Sequence, residues 1–311
     1  MRILHRHRVS MERLRFWVQA LWFFFSNGYW AFPASGTLYQ GPLKVLCSPG
    51  LNCYSCPAAT TFCPIGSLQQ LLLGVHLALQ NGQAYVGSYV LGCMGLLGTI
   101  CGRLICGWAC PFGLIQEMLY RIPSPKVAVH GKLIWGKYLV LLVLVVLLPL
   151  MVVSDFGVGL PWFCKFLCPV GTLEAGIPML LLMPDLRSAV GVLYLYKLCV
   201  LALVLIWSVA AFRPFCRTLC PLGAFYGLFN RVSLIRLKFN ADNCTKCGAC
   251  HRVCPVDIRV DQLPNSGECI RCLRCCTGAC QSNALSVEIA GYVWQIMRHP
   301  SDRPCAKRGC L

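Results

Sequence analysis

The sequence predicts a mostly helical membrane bundle of about four spans in two pseudo-repeated halves, followed by a small α+β domain. Three observations carry this. Composition comes first: 57% of the 311 residues are hydrophobic, 13% are charged, and mean hydropathy is +0.63, too apolar for an ordinary water-soluble domain. The second is a long-period repeat. Arg103-Leu-Ile-Cys106-Gly-Trp-Ala-Cys110-Pro111-Phe-Gly113, closing at Tyr120-Arg121, returns 110 residues later as Arg213-Pro-Phe-Cys216-Arg-Thr-Leu-Cys220-Pro221-Leu-Gly223, closing at Asn230-Arg231. Each copy ends a long apolar run, as two homologous halves would. Third, after Arg236 the composition becomes that of a soluble domain.

The first 15 residues hold five Arg, two His and Glu12, a basic flank that takes in His5 and His7. A first span runs from about Phe16 to Phe32. Ala31-Phe-Pro-Ala34 is a poor cleavage site because of its Pro, so this span is read as uncleaved. Residues 33–67 are rich in Pro and Gly and contain Cys47, Cys53-Tyr-Ser-Cys56-Pro57 and Cys63-Pro64-Ile-Gly66. A short amphipathic or half-inserted helix, Ser67 to Gln80, and an Asn81-Gly82 turn lead to a second span, about Ala84 to Leu104. Its glycines suit close helix packing in lipid, and it delivers Cys106 and Cys110. A short interfacial helix over 111–121 is broken by Pro123 and Pro125. The third span, about Leu133 to Val153, has 21 residues, enough to cross a core of roughly 30 Å at about 1.5 Å per residue. A loop with Cys164-Lys-Phe-Leu-Cys168-Pro169-Val-Gly171 and a short apolar helix to Met183 follow. The fourth span, about Ala189 to Phe212, delivers Cys216 and Cys220. The predicted organisation is a basic N-terminus (1–15), a membrane domain (16–238), a cysteine-rich domain (239–290) and a basic tail (291–311).

Charge asymmetry orients the spans. The N-terminus, the stretch Arg103 to Lys137 and the stretch Arg213 to Lys238 carry five Lys/Arg each, fifteen in all, against three (Lys44, Lys165, Arg187) in the other two loops. By the positive-inside rule both termini are cytoplasmic in a multi-pass inner-membrane protein.

There are 24 cysteines, in Cys-x2-Cys and Cys-x3-Cys-Pro spacings that belong to metal ligands rather than to a disulfide framework. Orientation sorts them. Cys106, Cys110, Cys216 and Cys220 fall on the cytoplasmic side, the four thiolates one [4Fe-4S] cubane needs. Cys47, Cys53, Cys56, Cys63, Cys164 and Cys168 fall on the outer side, enough for one cluster but not for two all-cysteine clusters. The outer loops echo each other too: Cys63-Pro-Ile-Gly-Ser-Leu-Gln aligns with Cys168-Pro-Val-Gly-Thr-Leu-Glu at an offset of 105. Cys164 then falls opposite Ala59, and Cys53 and Cys56 are the candidates to supply the missing ligand or ligands. The Pro after each second cysteine removes an N–H and presets φ for the first turn of a helix, whose dipole would point at an anionic cluster.

In the last domain Cys244-Thr-Lys-Cys247-Gly-Ala-Cys250-His-Arg-Val-Cys254-Pro255 is a full bacterial ferredoxin run. The second run, Cys269-Ile-Arg-Cys272-Leu-Arg-Cys275-Cys276-Thr-Gly-Ala-Cys280, is one residue out of pattern, with Gln281 where Pro is usual. Two cubanes are expected: one on Cys244, Cys247, Cys250 and Cys280, the other on Cys254, Cys269, Cys272 and either Cys275 or Cys276.

Over about residues 84–290 the chain resembles the membrane polyferredoxin family, which includes the quinol-dehydrogenase subunit of periplasmic nitrate reductase systems and the membrane part of the nitrous-oxide reductase regulator. The resemblance implies a four-span topology with cluster motifs at the span ends, a two-cluster ferredoxin module and a quinone as electron donor. The outer cysteines exceed the simpler family pattern of two Cys-x3-Cys-Pro motifs and point to a metal centre at the far face.

The expected function is transmembrane electron transfer through [4Fe-4S] clusters, two in the ferredoxin domain and two in the membrane domain, as a subunit of an oxidoreductase complex with partner subunits at one or both faces. Two alternatives stand beside it: a membrane quinol dehydrogenase drawing on the quinone pool, and a redox-sensing regulatory or assembly protein. Haem is excluded, since no Cys-x-x-Cys-His occurs and no two span histidines face each other. Membrane lipid is an expected partner and nucleic acid is not; the basic tail suits a membrane surface or a protein. Lys197, within the fourth span, either raises the outer cluster's potential, binds a quinone or snorkels to the surface. Cys93, Cys101 and Cys199 read as small packing residues, His76 as structural, and Cys305 and Cys310 form no complete set.

Overall fold

A computed structural model describes residues 2–35, 37–80, 88–153, 159–280 and 282–294. The Asn81-Gly82 turn, the start of the second expected span, and the tail from residue 295 with Cys305 and Cys310 lie outside them. The fold is mostly helical, 58% helix, with one small sheet.

The chain divides into two compact units. One comprises Gln19–Leu96 and Ala109–Phe225. Among the described residues two helices are long and apolar enough to cross a membrane, not four: Gly131–Met151 and Val192–Ala210, the third and fourth expected spans. Leu195, Leu203 and Ile206 turn outward from the second of these, 58%, 68% and 69% exposed, which is the face lipid would cover. The second expected span is described as Ser88–Cys101, whose 14 residues rise about 21 Å, short of a hydrocarbon core. The first expected span lies in Arg2–Ser26, a helix whose N-terminal half is too polar to qualify. Within Gly131–Met151 the stretch Leu141–Leu147 is π-helical just ahead of Pro149, whose missing N–H and ring disturb the ladder. Gln69 Nε2 donates to the Leu144 carbonyl there, at 3.1 Å.

The other unit comprises Met1–Val18, Leu97–Trp108 and Tyr226–Leu311. Its sheet is antiparallel in the order β1 (Ile235–Phe239), β2 (Leu285–Ile289), β3 (Tyr292–Trp294). Leu237 pairs with Val287 and both are buried, while Arg236 and Lys238 point out: the period-2 alternation of a half-buried strand. Two fully buried arginines tie the cysteine runs to the rest of this unit. Arg103 donates from Nη1 to the Gly267 carbonyl (2.6 Å) and pairs with Glu268 (3.2 Å). Arg271 donates to the carbonyls of Cys101 (2.8 Å) and Asn230 (2.7 Å) and to Ser233 Oγ (2.7 Å). Asn230 Nδ2 in turn donates to the carbonyls of Ser266 and Cys269, both at 2.8 Å. Three converging acceptors are what make the buried Arg271 guanidinium tolerable.

Candidate metal centres

Cys53, Cys63, Cys164 and Cys168 line one cavity of about 590 Å³, together with Leu51, Tyr54, Met179, Lys197 and backbone of Gly66 and Gly171. Two of these cysteines come from the loop before Pro64–Gln80 and two from the loop before Pro169–Leu182, the two loops expected on the outer side. Each loop places its second cysteine at the mouth of a helix. Pro64 opens Pro64–Gln80 immediately after Cys63, and Pro169 opens Pro169–Leu182 immediately after Cys168. Burial pushes the Cys168 thiol up to about 12 and the nearby Cys63 adds to this, while the first-turn N–H groups of Gly171 and Val170 pull it back. Cys63 is raised by burial in the same way and is opposed by the N–H groups of Gly66, Asn52 and Ile65. Buried thiols cradled by helix-start amides, with like charge across the cavity, suit a site that closes around a cationic core; metal coordination then deprotonates the thiols outright.

A cross-brace holds the two loops. The Cys53 N–H donates to Glu174 Oε2 at 2.8 Å, and the Cys164 N–H donates to Gln69 Oε1 at 3.3 Å. Glu174 stands six residues after Cys168, and Gln69 six residues after Cys63. Each half therefore grips the first cysteine of the other half with the same position, and Cys53, not Ala59, is the spatial counterpart of Cys164. Sequence reasoning missed this function of Glu174 and Gln69, although the Ser-Leu-Gln and Thr-Leu-Glu ends of the aligned motifs carried the signal. Burial lifts the Glu174 carboxyl to about 8, against the Cys53 N–H that favours its charged form.

Cys56 and Cys47 are not among the residues that line this cavity, although Cys53 packs against Cys56 and Cys47 lies within electrostatic reach of Cys63. Cys56 packs with Ala58 and Ala59, with Lys44 among the charges it feels. Lys44 donates to the carbonyls of Tyr54 (3.0 Å) and Ala59 (2.8 Å), clamping this turn. Cys47 forms a bridge with Phe62 and hydrogen-bonds through its thiol to Cys93.

The inner motif repeats the brace. Gln116, six residues after Cys110, donates from Nε2 to Cys216 Sγ at 3.0 Å. Cys110, Cys216 and Cys220 are all buried in this same unit. Gly223 N–H points at Cys220 Sγ (3.4 Å), the helix-start arrangement again. Arg213, in the left-handed region at φ 48°, is buried and paired with Glu117 at 2.6 Å. Cys106 is buried in the other unit.

In the ferredoxin-like runs the two Cys-x2-Cys segments share one backbone device. Lys246 and Arg271, the third residues of each, have positive φ (54° and 49°), as do Gly248 and Leu273 after the second cysteine (67° and 61°). Residues that return to the left-handed region turn successive N–H groups inward as an anion-binding nest. Lys246 N–H points at Cys244 Sγ (3.4 Å), and the N–H groups of Arg271 and Arg274 favour the thiolates of Cys269 and Cys272. Cys254, Cys269, Cys272 and Cys275 stand within one another's electrostatic reach; Cys275 also faces Cys250 and sits 3.9 Å from Cys276. The extra residue of the second run is absorbed in a π-helical turn, Cys275–Ala279, whose Cys280 N–H bonds back to the Cys275 carbonyl. Cys247 is the exposed member of the first run, and Cys280 lies 3.7 Å from Ser282 Oγ.

All the described cysteines are free thiols. Among the described residues no three His, Cys, Asp or Glu side chains close to single-ion distance. Cubane ligands stand around an eight-atom box, so thiols spread about a cavity with inward amides fit a cluster.

Known proteins were compared with this chain. Residues 61–79, 90–130, 139–180 and 193–241 match one 4Fe-4S binding domain, and residues 237–260 match a second. The chain is 32% identical over 207 residues to the uncharacterized protein MJ0750 of Methanocaldococcus jannaschii, covering 63% of this chain and 76% of that one. It is 28% identical over 192 residues to the methylamine utilization ferredoxin-type protein MauN of Methylorubrum extorquens (61% of this chain, 59% of MauN). It is 29% identical over 182 residues to the regulatory protein NosR of Pseudomonas aeruginosa, covering 55% of this chain but 23% of NosR. No solved structure matches.

Proposed function

From the premise that this chain belongs to the ferredoxin-type 4Fe-4S family, we propose that it is a transmembrane electron carrier, passing electrons between its ferredoxin module and a partner oxidoreductase at the outer face. Electron transfer through 4Fe-4S clusters follows from the family. The observation that carries the finer reading is the convergence of Cys53, Cys63, Cys164 and Cys168, from two separate loops, on one cavity. Soluble ferredoxin chemistry alone would need no such second set. These four residues would hold the outer cluster, with Glu174 and Gln69 fixing the loops that present them. Cys106, Cys110, Cys216 and Cys220 would hold an inner cluster, a grouping supported by the sequence repeat. Cys244, Cys247, Cys250 and Cys280 would hold a third, and Cys254, Cys269, Cys272 and Cys275 a fourth. When bound, such clusters supply single-electron storage at closely spaced stations across roughly 30 Å of hydrocarbon. Membrane placement, with both termini cytoplasmic, is supported by the apolar helices Gly131–Met151 and Val192–Ala210 and by the fifteen-to-three charge asymmetry.

A second reading, quinol dehydrogenase, is favoured by one feature. A cavity of about 710 Å³ is lined by Lys132, Trp135, Tyr138 and Trp207 and by Thr218 and Leu219, which lie between Cys216 and Cys220. Aromatic walls beside a cluster motif suit a flat ring, and quinol-dependent reduction of the reconstituted protein would select this reading.

The deciding experiment is iron and acid-labile sulfide per chain after anaerobic purification. About 16 iron atoms, four cubanes of four, supports the carrier. About 8 means that the membrane motifs hold no metal and refutes it. About 12 leaves one face empty, and Cys168→Ser against Cys220→Ser shows which.

A further inference from the structure

We propose that Lys197 sets the reduction potential of the outer site, holding it above the value the same four cysteines would give without a cation beside them. This rests on the outer-cluster reading above. Lys197 stands in the second turn of apolar helix Val192–Ala210, where an ammonium is expensive and needs an anionic or strongly polar neighbour. Its side chain lines the same cavity as Cys53, Cys63, Cys164 and Cys168. Its Nζ reaches the Cys164 carbonyl at 3.4 Å, a carbonyl and not a carboxylate. Its charge acts on two of the four thiols, Cys164 and Cys168.

The other ionisable side chains acting on these cysteines stand apart from it. Glu174 lies on the Cys53 side, hydrogen-bonded to the Cys53 N–H, and Lys44 is held by the carbonyls of Tyr54 and Ala59. Lys165, between the two cysteines in the chain, stands over the Phe166 ring at 5.5 Å and does not line the cavity, whereas the half-buried Lys197 does. Surface snorkelling would carry the ammonium away from the cysteine-lined cavity; here it lines that cavity.

The electrostatics have a definite sign. A cubane on four thiolates gains one negative charge on accepting one electron, with no bond made or broken. A fixed cation stabilises the more negative state, so it favours reduction. Net charge at the site is one of the levers on cluster potential, and the low dielectric of a membrane interior enlarges its effect.

The test is a redox titration followed by EPR on the full chain, purified anaerobically into lipid nanodiscs, with iron counted on each sample. The outer signal is the one lost in Cys168→Ser. Lys197→Met and Lys197→Gln are expected to keep the outer iron and to shift the reduced-to-oxidised ratio at fixed poise at least about tenfold toward oxidised, about 59 mV for one electron. Lys197→Arg is expected to stay near wild type. An unchanged midpoint in the Met and Gln variants, with iron retained, overturns the proposal and leaves the outer cluster standing. Loss of the outer iron in both neutral variants but not in Lys197→Arg overturns it as well, since the cation would then be needed to hold the site and not to tune it. Absence of any outer signal in wild type removes the outer-cluster reading itself.

Discussion

Replacing Glu174 by Leu tests the cross-brace at its shorter bond. The carboxyl is buried and lifted to about 8, so near pH 7 it is mostly neutral, and its Oε2 accepts the Cys53 N–H at 2.8 Å. Leucine fills similar volume but cannot accept. The Cys53 N–H is then left without its partner, at a cost of about 1–3 kcal/mol. Since about 1.4 kcal/mol is tenfold, the outer iron should be held roughly 5- to 150-fold less tightly. Glu174→Gln keeps an acceptor of the same shape and, at this pH, the same charge, and should cost under about 1 kcal/mol. Gln69→Leu breaks two neutral bonds, from Cys164 N–H at 3.3 Å and to the Leu144 carbonyl at 3.1 Å. At about 1 kcal/mol each, its penalty comes out near that of Glu174→Leu. The assay is the chelator concentration at which four iron atoms leave the anaerobic protein. Equal weakening by the two Leu variants, with rescue by Glu174→Gln, is the expected result. Wild-type iron retention in either Leu variant would refute the cross-brace, because the loops would then be held by something else.

Other expectations follow from single contacts. Cys275→Ser should remove one cluster's worth of iron from the ferredoxin module and Cys276→Ser none, since Cys275 is the residue facing Cys254, Cys269 and Cys272; Mössbauer counting distinguishes them. For Glu174 the sign of the pH effect is set by its raised pKa: the folded protein binds a proton that the unfolded chain releases above the ordinary carboxyl range, so stability falls as pH rises from about 4.5 through about 8. Thermal unfolding across that window should flatten in Glu174→Gln. Gly50→Ala should displace the inner motif, because a Cβ there would sit 2.7 Å from Cys110 Cα and 3.0 Å from the Ala109 carbonyl, both backbone. Gly66→Ala, which meets Cys63 Cβ at an ordinary 3.6 Å, is its control, with inner-cluster iron as the readout.

Covalent spacing was the readable part of this molecule. The ferredoxin runs, the Cys-x3-Cys-Pro copies and the Pro-initiated helices depend on neighbours within a dozen residues, and Pro64 and Pro169 open helices as expected. The helices of the third and fourth expected spans were legible because long, strongly apolar stretches are interrupted only by single lysines, Lys132 and Lys137 in one and Lys197 in the other. The first two were not: Arg2–Ser26 mixes a basic half with an apolar half, and Ser88–Cys101 is described over too few residues to cross lipid alone. That Glu174 holds the backbone of Cys53 was closed to sequence spacing because the bond spans 121 residues. The extra residue of the second run is taken up in a π-helical turn in which the Cys280 N–H bonds to the Cys275 carbonyl, a detail that spacing does not show.

That long-range bond also says why the outer motif departs from strict repetition. A pseudo-two-fold needs equivalent places in space, not equivalent places in sequence. Cys164 sits four residues before its Cys-Pro cysteine, whereas Cys53 sits ten before Cys63, with Cys56, the Lys44 clamp and the Ala58-Ala59 turn taken up in the difference. The longer loop reaches the equivalent position because Glu174 catches its backbone, just as Gln69 catches the shorter one. A carboxyl on one side and an amide on the other make the grip slightly unequal: the Glu174 bond is shorter by half an ångström than the 3.3 Å of its partner. Exchanging the two, Gln69→Glu with Glu174→Gln, preserves both acceptors and moves the carboxyl, at the cost of the Gln69 Nε2 donation to the Leu144 carbonyl unless the new carboxyl is protonated. If the brace works through hydrogen bonding, the exchanged protein keeps its outer iron. If instead the carboxyl must stand opposite Lys197, across the cavity from Cys164 and Cys168, the exchange shifts the outer midpoint while the iron stays, and potentiometry separates the two.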